Sequence, residues 1–173
     1  IQVMTLRSVI NFLLFQGVWF LALFLEQRAI IPILLIIILM LCLSQQKQQD
    51  MLLLCYGLMI SLSFEYLMVE VGFLSFSISP FPLWFILLWC ALLLTINTSM
   101  QFLHRTPWYL AMLLCAVFAP ASYIAGARFG ALEVHPVVWQ FWLIYGFAWS
   151  LMFNFIRMIN TYSKKYLLVS EHK

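Results

Sequence analysis

Charge is what this sequence has least of. Only 9% of its 173 residues are Asp, Glu, Lys or Arg, against about 25% in ordinary globular chains. A soluble fold of this size would have too few polar side chains to cover its surface, and a disordered chain would need more charge. Cysteine is sparse. Cys42, Cys55, Cys90 and Cys115 lie in apolar stretches and none forms a CxxC pair. They read as small hydrophobes rather than as a disulfide framework. There are three histidines and no two share an i, i+4 spacing, so no metal site is expected. The chain has no phosphate-binding glycine loop, no dinucleotide fingerprint and no nucleophile elbow, and no cofactor is expected.

What fills the space is hydrocarbon: 65% of the residues are hydrophobic and the mean hydropathy is +1.02. A helix crossing a bilayer core of about 30 Å at about 1.5 Å per residue needs about 20 apolar residues. Six stretches are candidates, over residues 8–25, 29–44, 51–69, 83–102, 108–131 and 137–156, the second of them short. They are separated by Glu26-Gln27-Arg28, by the polar run 45–50, by a Gly-, Ser- and Pro-rich segment ending at Pro82, by His104 to Pro107, and by Glu133 to Pro136. The expected fold is all-α, a bundle of six transmembrane helices in one domain over 1–157, followed by a short polar tail, 158–173. The first stretch ends Ala22-Leu23-Phe24-Leu25-Glu26, a poor signal-cleavage site, and is expected to be retained.

With six spans, Arg7, Lys47, Arg105, Arg157, Lys164, Lys165 and Lys173 share one side and only Arg28 and Arg128 the other. Positive charge stays in the cytoplasm, so both termini are expected there. The net charge of +3 follows from this topology and gives no support to nucleic-acid binding. Trp84, Trp108 and Trp139 fall at helix ends, where indoles settle among headgroups.

Two polar layers stand out. On the outer side, Glu65 lies about 21 Å along the third helix, with Ser61 one turn before it and Glu70 beyond it. The fifth helix brings Arg128 to the same leaflet, with Glu133 and His135 following, and Glu26 is a further candidate. Glu65 and Arg128 form either a structural ion pair or part of a site for an anionic headgroup or a proton. The segment before and after Arg128 holds Gly126-xxx-Gly130 and Ala127-xxx-Ala131, spacings that admit a neighbouring backbone. Pro120 frees a carbonyl near residue 116. The inner layer comprises Asn11, Gln16, Asn97 and Asn154, read as interhelical hydrogen bonds or as the lining of a cavity.

Several segments together resemble a family of small bacterial inner-membrane proteins grouped as a domain of unknown function. They are Asn-Phe-Leu-Leu-Phe-Gln-Gly-Val-Trp-Phe (11–20), Pro82-Leu83-Trp84 with Leu88-Trp89, Thr95-Ile96-Asn97-Thr98-Ser99, and the Ala-Gly-Ala-Arg-Phe-Gly-Ala of 125–131. The similarity runs from about Arg7 to Ala131 and fades in the last helix. Glu65 matches an acidic residue that such relatives tend to carry in the third helix. Members are often encoded beside cyclopropane-fatty-acid-synthase-like methyltransferases and flavin amine-oxidase-like proteins. The resemblance therefore implies a multi-pass bacterial inner-membrane protein connected with membrane-lipid modification, and supplies no catalytic residues. The leading expectation is a non-catalytic subunit that binds membrane lipid or another amphiphile, or docks a cytosolic partner such as a lipid-modifying enzyme. The alternatives are a membrane-embedded lipid-modifying enzyme using Glu65 and Arg128, and a small transporter or its substrate-capture subunit.

Overall fold

The computed structural model describes residues 6–104 and 106–170. Arg105, His172 and Lys173, which entered the reading of the loops and tail, lie outside them. The helices are α1 (Leu6–Leu25), α2 (Ile30–Leu43), α3 (Lys47–Glu70), α4 (Leu83–Leu93), α5 (Trp108–Arg128), α6 (Val138–Gln140) and α7 (Gly146–Ser170). A π-turn, Phe141–Tyr145, joins α6 to α7 without a break. Among the described residues, four helical stretches are long and apolar enough to cross a membrane: Leu6–Leu43, Lys47–Glu70, Trp108–Arg128 and Val138–Lys165.

The first of these is 38 residues, about 57 Å if straight and far longer than a bilayer core. It is not straight. Glu26 takes a left-handed backbone, φ 46°, at the start of a 3-10 turn, Glu26–Ala29. The chain doubles back there, so that Arg7 and Asn11 of α1 and Met40 and Leu43 of α2 line one small pocket. The reversal is local and polar, as the Glu26-Gln27-Arg28 interruption suggests.

Helix α3 packs against α4 and α7. Gln49, Leu53, Gly57, Ser61 and Glu65 recur every fourth residue and are all buried, which places them on one face of the helix. Leu93 of α4 packs over Gly57, where an added Cβ would come within 2.9 Å of its Cδ2. Tyr145 and Asn160 from the last helical stretch bond to side chains along the same stripe. Helix α3 begins at Lys47, so Asp50, grouped by sequence with the 45–50 connection, is helical and buried.

Helix α4 is a correction to the expected span over 83–102. It has 11 residues, about 16 Å, and ends at Leu93. Of the following Thr95 to Ser99, all but Ile96 are polar. Thr95 Oγ1 donates to the Leu92 carbonyl at 2.5 Å, and the backbone continues with tight bonds such as Thr95 N to Leu92 O and Ile96 N to Leu93 O. Side chains of this kind offer the backbone local alternatives to the helix. Leu94, Thr95, Ile96, Asn97 and Ser99 are all buried, so protein rather than lipid surrounds the irregular backbone. Asn11 of α1 braces it, donating to Leu94 O at 3.4 Å and accepting from Ser99 Oγ at 2.7 Å.

Helices α3 and α5 end alike. Gly72 (φ 76°) and Gly130 (φ 81°) supply the left-handed residue, and bonds from Phe73 N to Met68 O and from Ala131 N to Gly126 O close each last turn. Two short strands follow, β1 (Leu74–Ser75) and β2 (Glu133–Val134). They pair antiparallel, Leu74 with Val134 and Ser75 with Glu133. The sheet was not expected from sequence. Of the small-residue pattern, Gly126 does pack, with an added Cβ 3.3 Å from Leu23 and Leu132, whereas Gly130 faces open space and serves the chain reversal. At the other end, α7 runs on to Ser170, so most of the segment set apart as a polar tail, 158–173, continues the helix.

Helix α5 and the start of α7 approach closely. An added Cβ on Gly146 would lie 2.7 Å from Ala116 O and from Pro120 Cγ. Pro120 has no N–H to offer the carbonyl four residues before it, and Gly146 packs over that freed Ala116 oxygen.

Candidate functional site

Glu65 is fully buried, and Arg128 is not its partner. Tyr145 OH lies 3.0 Å from each carboxyl oxygen, and Tyr123 OH donates to Oε1. The Trp89 indole faces the same carboxyl. The two phenol rings pack edge-on at 5.0 Å, and Phe141 stacks on Tyr145 at 4.5 Å. Tyr145 ends the π-turn, whose extra residue alters how the helix presents its side chains. Arg128 caps the far end of α5, five residues past Tyr123 and about 7 Å nearer the surface, where it is exposed. The expected Glu65–Arg128 pair is therefore replaced by a carboxyl–diphenol cluster. Ser61, on the same face of α3, is turned back to its own helix at Gly57 O, 2.8 Å away.

The rest of the expected outer cluster separates. Glu133 and His135 meet at the small sheet, where Ser75 Oγ donates to Glu133 Oε2 at 3.3 Å and His135 Nε2 lies 2.9 Å from the same Oγ. These groups are exposed. Glu70 is exposed at the end of α3, and neither it nor Glu26 joins Glu65.

The inner layer is larger than expected and centred on Asp50. Ser44 Oγ donates to its Oδ2 at 2.5 Å and Asn97 Nδ2 to its Oδ1 at 2.8 Å. Asn160 Nδ2 reaches Asn97 Oδ1 at 2.8 Å, and Gln49 Nε2 and Tyr56 OH both donate to Asn160 Oδ1, at 3.0 and 3.2 Å. Asn97 is thus a hub of the network and Asn11 braces the break beside it. Asn154 lies apart, bonded to Ser150 O at 2.8 Å and accepting from Arg157 Nη1 at 2.6 Å. Gln16 belongs to neither group. Its side chain lines a cavity.

That cavity has a volume of about 580 Å³, within the ~300–1,000 Å³ usual for small-molecule sites. One wall is Phe12, Phe15, Gln16 and Trp19 of α1, and the opposite wall is Leu114, Phe118 and Ser122 of α5. Trp84, Leu88 and Trp89 of α4 and Trp149 and Phe153 of α7 form its floor. Helices α1 and α5 meet at the sheet end of the bundle. There Trp19 Nε1 donates to Ser122 Oγ at 3.0 Å, Leu23 packs on Gly126, and Phe24 meets Phe129 edge-on at 4.9 Å. Toward the Asp50 end, Phe12 (42% exposed) and Phe118 (68% exposed) flank the space between the two helices. The cavity is therefore a cleft open sideways through the apolar belt. Tyr123 lines it, which connects the cleft to the buried carboxyl. The indole N–H groups of Trp84 and Trp149, two of its lining residues, have no hydrogen-bond partner among the described residues.

The model of a family described as a protein of unknown function (DUF2878) matches residues 8–155. The chain belongs to that family. No curated protein and no solved structure matches it. The match extends past Ala131 into α7, further than the resemblance quoted above. Glu65, Tyr123, Tyr145 and every residue lining the cleft, from Phe12 to Phe153, fall inside it. Arg157 and Asn160 fall just beyond it.

The chemistry available in the cleft is limited. Its lining has no charged side chain, and among the described residues no group of three His, Cys, Asp or Glu side chains is placed to hold a metal ion. Sequence reasoning found Glu65 because a carboxyl in an apolar run is conspicuous. It missed Tyr123 and Tyr145, because a tyrosine in a membrane helix is ordinary and only the fold brings these two to one carboxyl. Asp50, Gln49 and Asn160 were missed because they sit in polar runs that read as solvated. The every-fourth-residue stripe ending at Glu65 is the signal that would have found Gln49.

Proposed function

We propose that this protein is a non-catalytic, lipid-binding membrane subunit that takes up a hydrocarbon chain sideways from the bilayer between α1 and α5. One observation carries the reading: a cavity of about 580 Å³ is walled by apolar and aromatic side chains, and Phe12 and Phe118 on its α1 and α5 walls are exposed. A sealed void of that volume would cost on the order of 10 kcal/mol at ~24 cal/mol per Å³, comparable to the whole stability of a domain. An opening toward lipid removes that cost because chains can enter. The lack of charged lining favours an apolar occupant over a solvated one.

In this reading the chain crosses the membrane six times with both ends in the cytoplasm of a bacterial cell. The reversal at Glu26–Ala29 supports counting α1 and α2 as two passes, and the irregular continuation of α4 to His104 supports counting it as one. The Asp50 end then faces the cytoplasm and the sheet faces outward, in keeping with the excess of Lys and Arg on the inner side. The family resemblance suggests membrane-lipid modification as the process served, with a cytosolic enzyme as partner. An enzyme built on Glu65 and Arg128 loses its support, since the two residues do not meet.

A diazirine-bearing acyl lipid, photolysed with the reconstituted protein, tests the cleft. The expected adducts concentrate on Phe12, Phe15 and Phe118. Labelling spread evenly over exposed belt residues such as Ile31, Leu35 and Met59 would mean that only annular lipid is bound.

A further inference from the structure

Lipid tails are as apolar as the cleft, so moving a chain from bilayer to cleft gives little net attraction. Selective binding requires a polar contact, and the cleft lining has no charge to give one. A charge outside the lining lies one helical turn beyond the last of two residues that belong to it. Trp149 and Phe153 line the cleft, and Arg157 follows at the same spacing of four, on the same face of α7 and about 6 Å further along. Its Nη2 donates to the carbonyl of Leu103, itself a lining residue. Cys115, on the opposite wall, is within electrostatic reach of the guanidinium.

Arg157 is only 8% exposed. Its hydrogen-bond acceptors, Leu103 O and Asn154 Oδ1, are both neutral, and its Nε–H has no partner among the described residues. Asp50, the buried carboxylate at the same end, is engaged by Ser44 and Asn97 instead. A buried guanidinium with no counter-charge among the described residues is unfavourable until an anion arrives, and its planar fork suits a carboxylate or a phosphate.

We propose that Arg157 holds the anionic head of a single-chain amphiphile whose tail occupies the cleft. This rests on the cleft being the binding site and adds the class of ligand. At roughly 30 Å³ per water-sized group, the cavity holds on the order of twenty such groups, one acyl chain rather than two. The head then lies at the Asp50 end, and the tail points toward the Trp19–Ser122 closure.

The test uses the full-length protein in phosphatidylcholine nanodiscs, with 9,10-dibromostearate and its methyl ester as quenchers of the cleft tryptophans. At alkaline pH the acid is expected to quench saturably at about ten-fold lower concentration than the ester, the advantage of a charge-assisted contact. Arg157→Gln should erase the difference while ester quenching persists, and Arg157→Lys should keep most of it. Equal quenching by acid and ester in the wild type, or an undiminished preference in Arg157→Gln, would overturn the head-group assignment and leave the cleft standing. Absence of saturable quenching by either probe would overturn the cleft itself. Competition on the wild type needs no variant. Palmitate or hexadecyl phosphate displacing the probe where hexadecanol does not supports the assignment, and the more effective of the two identifies the head. Equal displacement by hexadecanol contradicts it.

Discussion

Glu65 is held by hydroxyl groups rather than by a cation, and the two arrangements respond differently to substitution. Glu65→Leu leaves the Tyr123 and Tyr145 hydroxyls without their acceptor, at about 1–3 kcal/mol each. A clear drop in apparent Tm in mild detergent is expected, with Glu65→Gln much milder because it keeps an acceptor oxygen. Adding Tyr123→Phe and Tyr145→Phe to Glu65→Leu should recover a substantial part of the loss, since both sides of the interaction are then removed. Arg128→Ala should change stability by no more than about 0.5 kcal/mol, as for other exposed positions. A loss matching that of Glu65→Leu would restore the ion pair. At the Asp50 end, Asp50→Ala strips Ser44 Oγ and Asn97 Nδ2 of their shared acceptor and should destabilise more than Asp50→Asn. At this scale Glu65 was legible from its setting alone. Its partners were not, because hydrogen-bonding tyrosines look the same in sequence as lipid-facing ones.

Elements meet through a few positions that tolerate no side chain. Gly146→Ala places a methyl group 2.7 Å from a backbone oxygen and a proline ring carbon, neither of which can rotate away. Overpacking of this kind costs about 1–3 kcal/mol. Because Tyr145 is the preceding residue, the shift should also loosen the Glu65 cluster. Gly57→Ala meets only the flexible end of Leu93, at 2.9 Å, and should be the gentler change. The reverse order in thermal unfolding would show that α5 and α7 are not packed as described. Apolar runs made most helices legible, and Glu26-Gln27-Arg28 announced the first reversal. The end of α4 was hidden because Thr95 to Ser99 sit in a stretch apolar enough to continue as a helix. Their side-chain bonds to Leu92, Asn11 and Asp50 decide otherwise. Gly130 was read as a packing glycine because spacing alone does not separate a packing surface from a left-handed cap.

For the whole molecule, the proposed six-pass arrangement predicts that single cysteines introduced near Ser8 and at Lys164, on a background lacking the native four, react with an impermeant thiol reagent from the same side of sealed vesicles. A cysteine at Glu133 should react from the other side. Labelling of Ser8 and Lys164 from opposite sides would require an odd number of passes. Of the cleft, the sequence showed only Gln16 as a candidate lining residue, within a layer whose other members form hydrogen bonds instead. The walls of the cleft come from four helices, α1, α4, α5 and α7, and only their packing brings those residues together.

Native mass spectrometry of the detergent-extracted protein tests the central claim most directly, comparing wild type with Leu88→Trp/Leu92→Trp, which fills the cleft from its α4 side. The account predicts one retained adduct of single-chain lipid mass on the wild type and its loss from the filled variant at unchanged apparent Tm. A wild type that flies without an adduct, or a filled variant that keeps the same adduct at the same occupancy, would contradict it.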